Sequence, residues 1–406
     1  MQQSAFDKLQ YMNYGKYMNT RKILLPVFFI FLCSFLHSAP IYSPSWGFSI
    51  DLPVSYVFIG GNGLDRFSFA NPDGANFDLV VYHAGDGRPQ PSASLRELVQ
   101  DVQRRLNNRG DVDSFRFRGR EAFVIELNFP LAGAGGRTAA MTGWAIALEL
   151  GYAPPGGPRP MLLALAYGPA EKADLLVFHL SALNSIAPEE GDRLAPGPIS
   201  EFLYPRQTRI SVPVFGMGIE AEIFAEDAEA AQALVDREFM LLYRYADAPN
   251  WQEAWQRFYR AIHRDSYCRL ADLAFHVERK LNLPATDDRD FAEQLLRWVQ
   301  TFKYERDLEG SDFVNLVSAA TEGRGDCDSR AMLWALILRK ANIPSGIMVS
   351  RHFGHAMGLA EVPGAGARFE VNGQRFLVAE TTADVGIGLI DQEKSGVEHW
   401  LGIVFE

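Results

Sequence analysis

The sequence has few cysteines and a deficit of positive charge. Its 406 residues include 3 cysteines, and 39 lysines and arginines stand against 50 acidic residues, giving a formal charge of −11. Binding to nucleic acid needs a basic surface, so this charge argues against nucleic acid as a partner. The sequence also lacks internal repeats, low-complexity tracts, a Walker loop, zinc-finger spacing and a dinucleotide-binding fingerprint. Function must therefore be sought in individual side chains.

An apolar run at the N-terminus, residues 23–36, directly follows Arg21 and Lys22. It is shorter than the roughly 20 residues that span a bilayer, but it has the length of a signal-peptide core. We therefore expect residues 1–40 to form a signal peptide or, if they are retained, an N-terminal anchor that tethers the chain to a membrane. Either outcome exports the protein: it would be periplasmic, secreted or membrane-anchored outside the cytoplasm.

The length predicts two domains after this leader, because 406 residues exceed what one ordinary core organises. Residues 187–206 are polar, rich in proline and without hydrophobic periodicity, which is typical of an interdomain linker. The predicted domains are therefore residues 41–186 and residues 207–406.

The N-terminal domain alternates short predicted strands with turns and contains one clear helix and a closing helix. Strand patterns cover residues 46–53, 77–82, 121–128, 142–150 and 161–167, and helical patterns cover residues 94–106 and 175–183. This order resembles the Mog1/PsbP-like α+β fold, on pattern and not on a chemical motif. The lone histidines His83 and His179 form no catalytic constellation. The expected role of this domain is docking or substrate presentation.

The C-terminal domain changes its hydrophobic period from helical to alternating. A strand pair at residues 208–224 is followed by helical patterns over residues 228–245, 251–262 and 288–302, and then by strand patterns over residues 347–350, 355–362, 368–371 and 374–380. Asn372-Gly373 is a strong hairpin signal between the last two strands. The aromatic stripe at residues 251–262 predicts core packing. Helices followed by a small antiparallel sheet make an α+β domain.

One cysteine has the surroundings of a nucleophile. Cys327 follows the flexible Gly323 and Gly325 and precedes an apolar run, residues 331–338, that predicts a buried helix. Unpaired N–H groups at the start of a helix favour a thiolate, so Cys327 is the predicted nucleophile. Cys268 lies in a charged helical stretch, and we expect it to pack as an unlinked thiol, although a disulfide with Cys327 is the alternative.

Thiol chemistry also needs a base, and a group that orients the base. His355 opens a predicted strand and Glu380 ends another, and a helix start resting on an antiparallel sheet would bring both to Cys327. His352 is the rival base. A Cys–His–Glu metal site is disfavoured, because no close ligand pair supports it, and no cofactor is implied.

Four blocks around these residues resemble the transglutaminase-like superfamily. They are Gly-x-Gly-Asp-Cys-Asp-x-x-Ala at residues 323–331, Leu-Arg-Lys-Ala-Asn-Ile-Pro-Ser-Gly at 338–346, Gly-His-Ala-Met at 354–357 and Val-Ala-Glu-Thr-Thr at 378–382. The resemblance covers residues 285–390 and implies a papain-like Cys–His–acid core. It places Cys327, His355 and Glu380 in the family's chain order. Tyr304 matches the family's aromatic position ahead of the nucleophile, where it would contact the substrate or oxyanion; a core aromatic is the alternative.

Two features depart from the family's pattern. The usual third member is aspartate, whereas Glu380 carries an extra methylene, and the acid after the cysteine comes one place early, at Asp328. Asp326 and Asp328 also disfavour a thiolate between them. His355 must therefore lie close enough to Cys327 to outweigh both carboxylates.

The sequence thus predicts an exported thiol-dependent acyl-transfer enzyme that acts on peptide or carboxamide bonds of a protein or peptide substrate. The resemblance favours hydrolysis by a cysteine peptidase or deamidase over crosslinking by a transglutaminase. The alternative is a catalytically silent binding or scaffold protein, which the replacement of aspartate by Glu380 keeps open.

Overall fold

The computed structural model describes residues 40–84, 92–132, 138–151, 157–306 and 311–405. The chain divides into two compact units, with the division between Glu190 and Gly191. Apart from Pro40, the predicted leader lies outside the described residues. Among the helices in the described ranges, none combines the length and the apolar character that a membrane span requires.

The N-terminal unit is built around one seven-stranded antiparallel sheet. A separate pair, β1 (Ile41–Tyr42) and β2 (Ser49–Ile50), precedes it, and the strands of the sheet are β3 (Val57–Gly61), β4 (Arg66–Ala70), β5 (Asn76–Tyr82), β6 (Val112–Phe117), β7 (Arg120–Ala132), β8 (Thr138–Glu149) and β9 (Met161–Pro169). Their order in the sheet is β3-β4-β5-β9-β8-β7-β6. The strand predicted over residues 46–53 is reduced to β2. The prediction also missed β3, since Val57, Phe58 and Ile59 are all exposed and show no alternation.

Two helices complete this unit close to the predicted positions. α1 (Leu95–Leu106) begins at its N-cap Ser94, whose hydroxyl accepts a hydrogen bond from the Glu97 N–H at 3.2 Å. α2 (Leu176–Asn184) carries His179, and burial lowers the pKa of that imidazole to about 4. His83 lies 3.3 Å from Asp65. Both histidines therefore have the surroundings of structural residues and not of catalytic ones.

Residues 187–206, the predicted interdomain linker, include the division between the two units and also contain regular structure. Ala187 forms a β-bridge with Ser49, and α3 (Pro198–Leu203) is a short helix in which Ile199 is 1% exposed. Pro198 occupies the start of the helix, where the missing N–H would have no partner in any case. Pro198, one of the prolines that suggested a linker, therefore marks the start of a helix with a buried apolar face.

After α3, the C-terminal unit continues with a hairpin and then with helices. The hairpin is β10 (Arg209–Val214) and β11 (Ile219–Phe224), and the helices are α4 (Asp227–Arg244), α5 (Trp251–Arg269), α6 (Ala271–Asn282), α7 (Asp288–Gln300), α8 (Leu316–Glu322) and α9 (Cys327–Lys340). α5 extends beyond the predicted aromatic stripe, and the prediction contained no counterpart of α6. Buried Arg269 joins α5 to α4, because it forms ion pairs with both Asp227 and Asp265.

The remaining strands form a five-stranded antiparallel sheet and one short parallel pair. The pair is β12 (Lys303–Tyr304) and β13 (Arg324–Gly325), and the sheet contains β14 (Ser345–Ser350), β15 (His355–Ala360), β16 (Arg368–Val371), β17 (Gln374–Ala379) and β18 (Leu401–Val404), in the order β16-β17-β15-β14-β18. Asn372 and Gly373 have φ angles of 52° and 80°, as the hairpin prediction requires. The α+β class is confirmed.

α9 is the central helix of this unit. Residues 331–338 are fully buried, as their uniform apolar character predicts. The Trp334 indole N–H donates to the Ala292 carbonyl of α7 at 3.1 Å, while its ring faces Gly358 of β15. A glycine at this point of β15 lets the helix lie close against the sheet. The start of α9 is thereby held near the start of β15.

We expect Gly358→Ala to lower the free energy of unfolding by about 1–3 kcal/mol, because overpacking a filled core forces atoms apart. The added Cβ would lie 2.5 Å from Cε3 of Trp334. Urea unfolding measures the effect. Gly191→Ala is the control, since its Cβ would meet no atom within 4 Å. Equal stability of the two variants would contradict this close packing.

Candidate active site

Cys327 is the first residue of α9, and it is 6% exposed. Asp326 caps the helix: its Oδ1 accepts hydrogen bonds from the Ser329 N–H at 2.8 Å and from the Ser329 hydroxyl at 2.5 Å. Gly323 ends α8 with a φ of 66°, a left-handed conformation that favours glycine. The chain can therefore leave α8, run along β13 and present the thiol at the next helix start.

His355 and Glu380 meet because their strands are neighbours. His355 begins β15 and Glu380 directly follows β17, and these strands pair in an antiparallel register. Nε2 of His355 lies 2.7 Å from Oε2 of Glu380. The other carboxylate oxygen accepts hydrogen bonds from the Thr382 N–H at 2.9 Å and from the Thr382 hydroxyl at 2.6 Å.

These contacts keep Glu380 ionised. Burial alone would raise its pKa, but the hydrogen bond and charge of His355, together with the Thr382 donors, lower the pKa to about 2. An ionised carboxylate only accepts hydrogen bonds, so Nε2 of His355 carries the proton between them. In the neutral imidazole, Nδ1 is then the free proton acceptor.

Cys327 and His355 line one open cavity of about 260 Å³. The thiol lies within hydrogen-bonding reach of the backbone N–H of Ala356, the residue after His355. The structure therefore brings together the three residues that the sequence proposed as a triad. The rest of the cavity lining comprises Trp255, Tyr304, Arg306, Asp312, Asp326, Asp328, Ser350, Arg351 and Gly354.

The thiol is less acidic than the helix start predicts. Burial, followed by the charges of Asp328 and Asp326, raises the pKa of Cys327 well above its usual value. Burial also raises the pKa of Asp326 to about 6 and, with the charge of Asp326, raises the pKa of Asp328 well above its usual value. The expectation of a thiolate favoured by the helix terminus is therefore wrong, because burial outweighs the helix dipole.

We expect Asp328→Asn to increase the thiolate fraction of Cys327 at alkaline pH and to leave it unchanged in acid. Burial raises the pKa of Asp328, so its carboxyl gains a charge that opposes the thiolate only at higher pH. The variant amide oxygen can still accept the hydrogen bond from Tyr259. The measurement is the rate of Cys327 alkylation against pH, and a uniform change at all pH values would contradict this effect.

Tyr304 lines the cavity and does not pack in the core. Its side chain is 48% exposed, and its hydroxyl lies within hydrogen-bonding reach of the Cys327 thiol. Burial, followed by the charge that Cys327 carries when ionised, raises the pKa of Tyr304 to about 12, so the phenol stays a hydrogen-bond donor. The alternative of a core aromatic is wrong.

Other predicted residues have different surroundings. His352, the rival base, stacks on His399 with the ring centroids 4.2 Å apart. Trp255 lies on the aromatic stripe of α5 but borders the cavity, so the stripe is not all core. Cys268 and Cys327 are both free thiols, as predicted. Cys268 is exposed, however, so the prediction that it packs is wrong. Its S–H donates to the Leu194 carbonyl at 2.9 Å.

Sequence reasoning missed Arg330 and Thr382. Thr382 contributes two donors to Glu380, and Arg330 is a 2% exposed cation one turn into α9. The available signal was an arginine bordering the apolar run, residues 331–338, at a position that the helix must bury.

Asp326, Cys327 and Asp328 each place one potential metal ligand within 4.8 Å of the others. Asp326 is already engaged as the helix cap, and Asp328 accepts from Tyr259. The cluster is thus built from groups with partners, and it differs from the Cys–His–Glu set considered from the sequence.

Residues 276–375 match the transglutaminase-like superfamily. The C-terminal half contains a transglutaminase-like domain. The match includes Cys327 and His355 and ends before Glu380. No curated protein matches the chain.

Several solved structures are similar to parts of the chain. PsbP of the cyanobacterium Synechocystis sp. PCC 6803 is 10% identical over 37% of this chain and 91% of that chain, with a TM-score of 0.27. LpqN, described as involved in cell envelope biogenesis of Mycobacterium tuberculosis, is 12% identical over 37% of this chain and 90% of that chain, with a TM-score of 0.25. Both lie over the N-terminal part. A Bacteroides thetaiotaomicron VPI-5482 protein is 11% identical over 56% of this chain and 77% of that chain, with a TM-score of 0.19.

Proposed function

We propose that the transglutaminase-like domain is a thiol-dependent acyl-transfer enzyme. One observation carries the proposal: His355 lies 2.7 Å from ionised Glu380 and shares a cavity with Cys327. A nucleophile, a base and a group that orients the base are the minimum set for covalent acyl transfer.

The proposed reaction has two steps. The Cys327 sulfur attacks a peptide or carboxamide carbonyl while Nδ1 of His355 accepts the thiol proton. The imidazolium then returns that proton to the leaving amine as the C–N bond breaks, which leaves an acyl thioester. Water attacks the thioester with the same base and restores the thiol. The backbone N–H of Cys327, at the helix start, and the Tyr304 hydroxyl are the proposed donors to the tetrahedral oxyanion.

The raised pKa of Cys327 favours a neutral thiol before substrate binds. Proton transfer to His355 then accompanies the attack, as in general-base catalysis. Glu380 stabilises the imidazolium that forms, because its pKa of about 2 keeps it charged throughout. The Glu380–His355 pair therefore gives its largest stabilisation when positive charge develops on the imidazole.

We further propose that the acceptor is water and that the protein acts as an exported peptidase or deamidase. The open cavity around Cys327 and His355 supports a peptide segment as the substrate, and the basic, apolar leader at residues 21–36 supports export. The N-terminal unit would dock or present the substrate. Cell fractionation with mass spectrometry of the N-terminus tests export, and a full-length cytosolic product would contradict it.

The function is tested with a library of peptides that contain glutamine, incubated with the full chain or with Cys327→Ala. Mass spectrometry detects peptide cleavage and deamidation, a fluorescent primary amine detects crosslinking, and hydroxylamine traps the thioester. We expect cleavage or deamidation that requires Cys327. If incorporation of the amine dominates, the proposed reaction is crosslinking and not hydrolysis. Equal inactivity of both proteins, with no thioester, would contradict enzymatic activity.

A catalytically silent binding protein is the second candidate. The observation that favours it is that burial, followed by the charges of Asp328 and Asp326, raises the pKa of the Cys327 thiol. A scaffold of this kind would bind peptides without turnover and would bind equally well with Cys327→Ala. Loss of turnover with retained binding in that variant favours the enzyme.

A further inference from the structure

Arg330 is a buried cation beneath the candidate active site. Its side chain is 2% exposed, and it makes hydrogen bonds to three backbone carbonyls. Nε donates to Gly325 at 3.2 Å, Nη1 donates to Thr381 at 3.4 Å, and Nη2 donates to Phe302 at 2.5 Å. Within the described ranges, no carboxylate forms an ion pair with it.

The three carbonyls belong to the three segments that carry the site. Phe302 precedes the β12 strand of Tyr304, Gly325 lies two residues before Cys327, and Thr381 directly follows Glu380. The guanidinium carbon also lies 5.5 Å from the ring centroid of Tyr304, within the range of a cation–π contact. One side chain thus contacts every chain segment that supplies the triad and its aromatic neighbour, apart from the strand of His355.

The chemistry of the contact is specific to arginine. Burying a cation without a paired anion is unfavourable unless hydrogen bonds satisfy it. The planar guanidinium presents donors in fixed, divergent directions, so it can hold three carbonyls at once. A lysine ammonium would bring the same charge with a different donor geometry, so it could not hold all three segments in this arrangement.

We propose that Arg330 is a positioning residue that fixes the segments of Tyr304, Cys327 and Glu380 relative to one another. This inference rests on the proposed function, because the geometry it maintains is that of the acyl-transfer site. Its cation also faces Cys327, Asp326, Glu380 and Tyr304, all of which are negative when ionised. Both effects favour the thiolate at the moment of attack.

The test uses the full chain with Arg330→Lys and Arg330→Gln. The measurement is the rate of iodoacetamide alkylation of Cys327 against pH, read by mass spectrometry, with the exposed Cys268 as the internal reference thiol. Arg339→Gln, at the other end of α9, is the matched control for loss of a cation from that helix. Circular dichroism and thermal unfolding establish that each variant is folded.

We expect both Arg330 variants to slow Cys327 alkylation about tenfold to a hundredfold, since a 1 Å misplacement of reacting groups costs about that much. The alkylation profile should also move to higher pH, while Cys268 and Arg339→Gln stay unchanged. If Arg330→Gln does not fold, Arg330→Lys decides the question. Wild-type reactivity in folded Arg330→Lys overturns the positioning role, as does a loss of thermal stability with an unchanged pH profile.

Failure of the proposed function gives a different result. Slow alkylation of Cys327 in the wild type, with no response to His355→Ala, removes the nucleophile itself. A response to His355→Ala with none to Arg330→Gln removes only the inference about Arg330.

Discussion

His355→Ala is expected to slow alkylation of Cys327 by iodoacetamide at pH 7 by about two orders of magnitude. A positioned general base contributes about 10²- to 10⁴-fold in rate. The thiol depends on that base, because burial and the neighbouring Asp328 and Asp326 raise its own pKa. Alkylation of each thiol is followed by mass spectrometry of the corresponding peptide.

The structure offers two controls for this experiment. Cys268 is an exposed free thiol in the same protein, so its rate corrects for reagent and folding effects. His352→Ala removes an imidazole that stacks on His399 and makes no contact with Glu380 among the described hydrogen bonds. It should leave Cys327 unaffected. Equal alkylation rates of Cys327 in the wild type and in His355→Ala would contradict the enzyme and favour the binding or scaffold protein.

Glu380→Gln is expected to lower turnover and Cys327 reactivity by about 10²- to 10⁴-fold, on the scale known for the acid of a serine triad. The amide removes the charge that stabilises the imidazolium and can donate to Nε2, which would favour the wrong tautomer. Glu380→Asp keeps the charge but shortens the reach to the imidazole, now 2.7 Å from the carboxylate. We expect it to be intermediate. Full activity of Glu380→Gln would remove Glu380 from the mechanism.

The same carboxylate predicts a pH dependence of stability. Its pKa falls from 4.5 to about 2 on folding, so its stabilisation is present above pH 4.5 and is lost as the pH falls toward 2. At 1.36 kcal/mol per pKa unit, the contribution is about 3 kcal/mol. The difference in unfolding free energy between the wild type and Glu380→Gln should therefore shrink through that window. Urea unfolding at several pH values measures it, and a constant difference would contradict the linkage.

Local patterns predicted the elements of the site well. The apolar run after Cys327 predicted α9, and just beyond the end of this helix Asn342 has a left-handed φ of 62°. Alternation placed His355 at the first residue of its strand and Glu380 at the end of another. These signals are short-range, since helix periodicity, caps and hairpin turns depend on residues close in sequence.

Contacts between distant segments were not predictable in the same way. Nothing in the pattern around Arg330 indicates that its acceptors are Phe302, Gly325 and Thr381. The burial of Ile199 in the predicted linker was not predictable for a related reason, because composition describes solvent preference and not tertiary packing. The opposite error was made for Cys268, which was expected to pack but is left exposed by its helix.

The sequence by itself determined the α+β class, the helix start that presents Cys327, and the order of thiol, imidazole and carboxylate along the chain. Only the tertiary structure decided that His355 and Glu380 are in contact and that Cys327 shares their cavity. It also decided the acidity of the thiol, because burial, which the sequence does not show, is the largest cause of its raised pKa. The physical reason is one of range: caps and periodicity act over one or two turns, whereas desolvation and charge act across whatever the fold brings together.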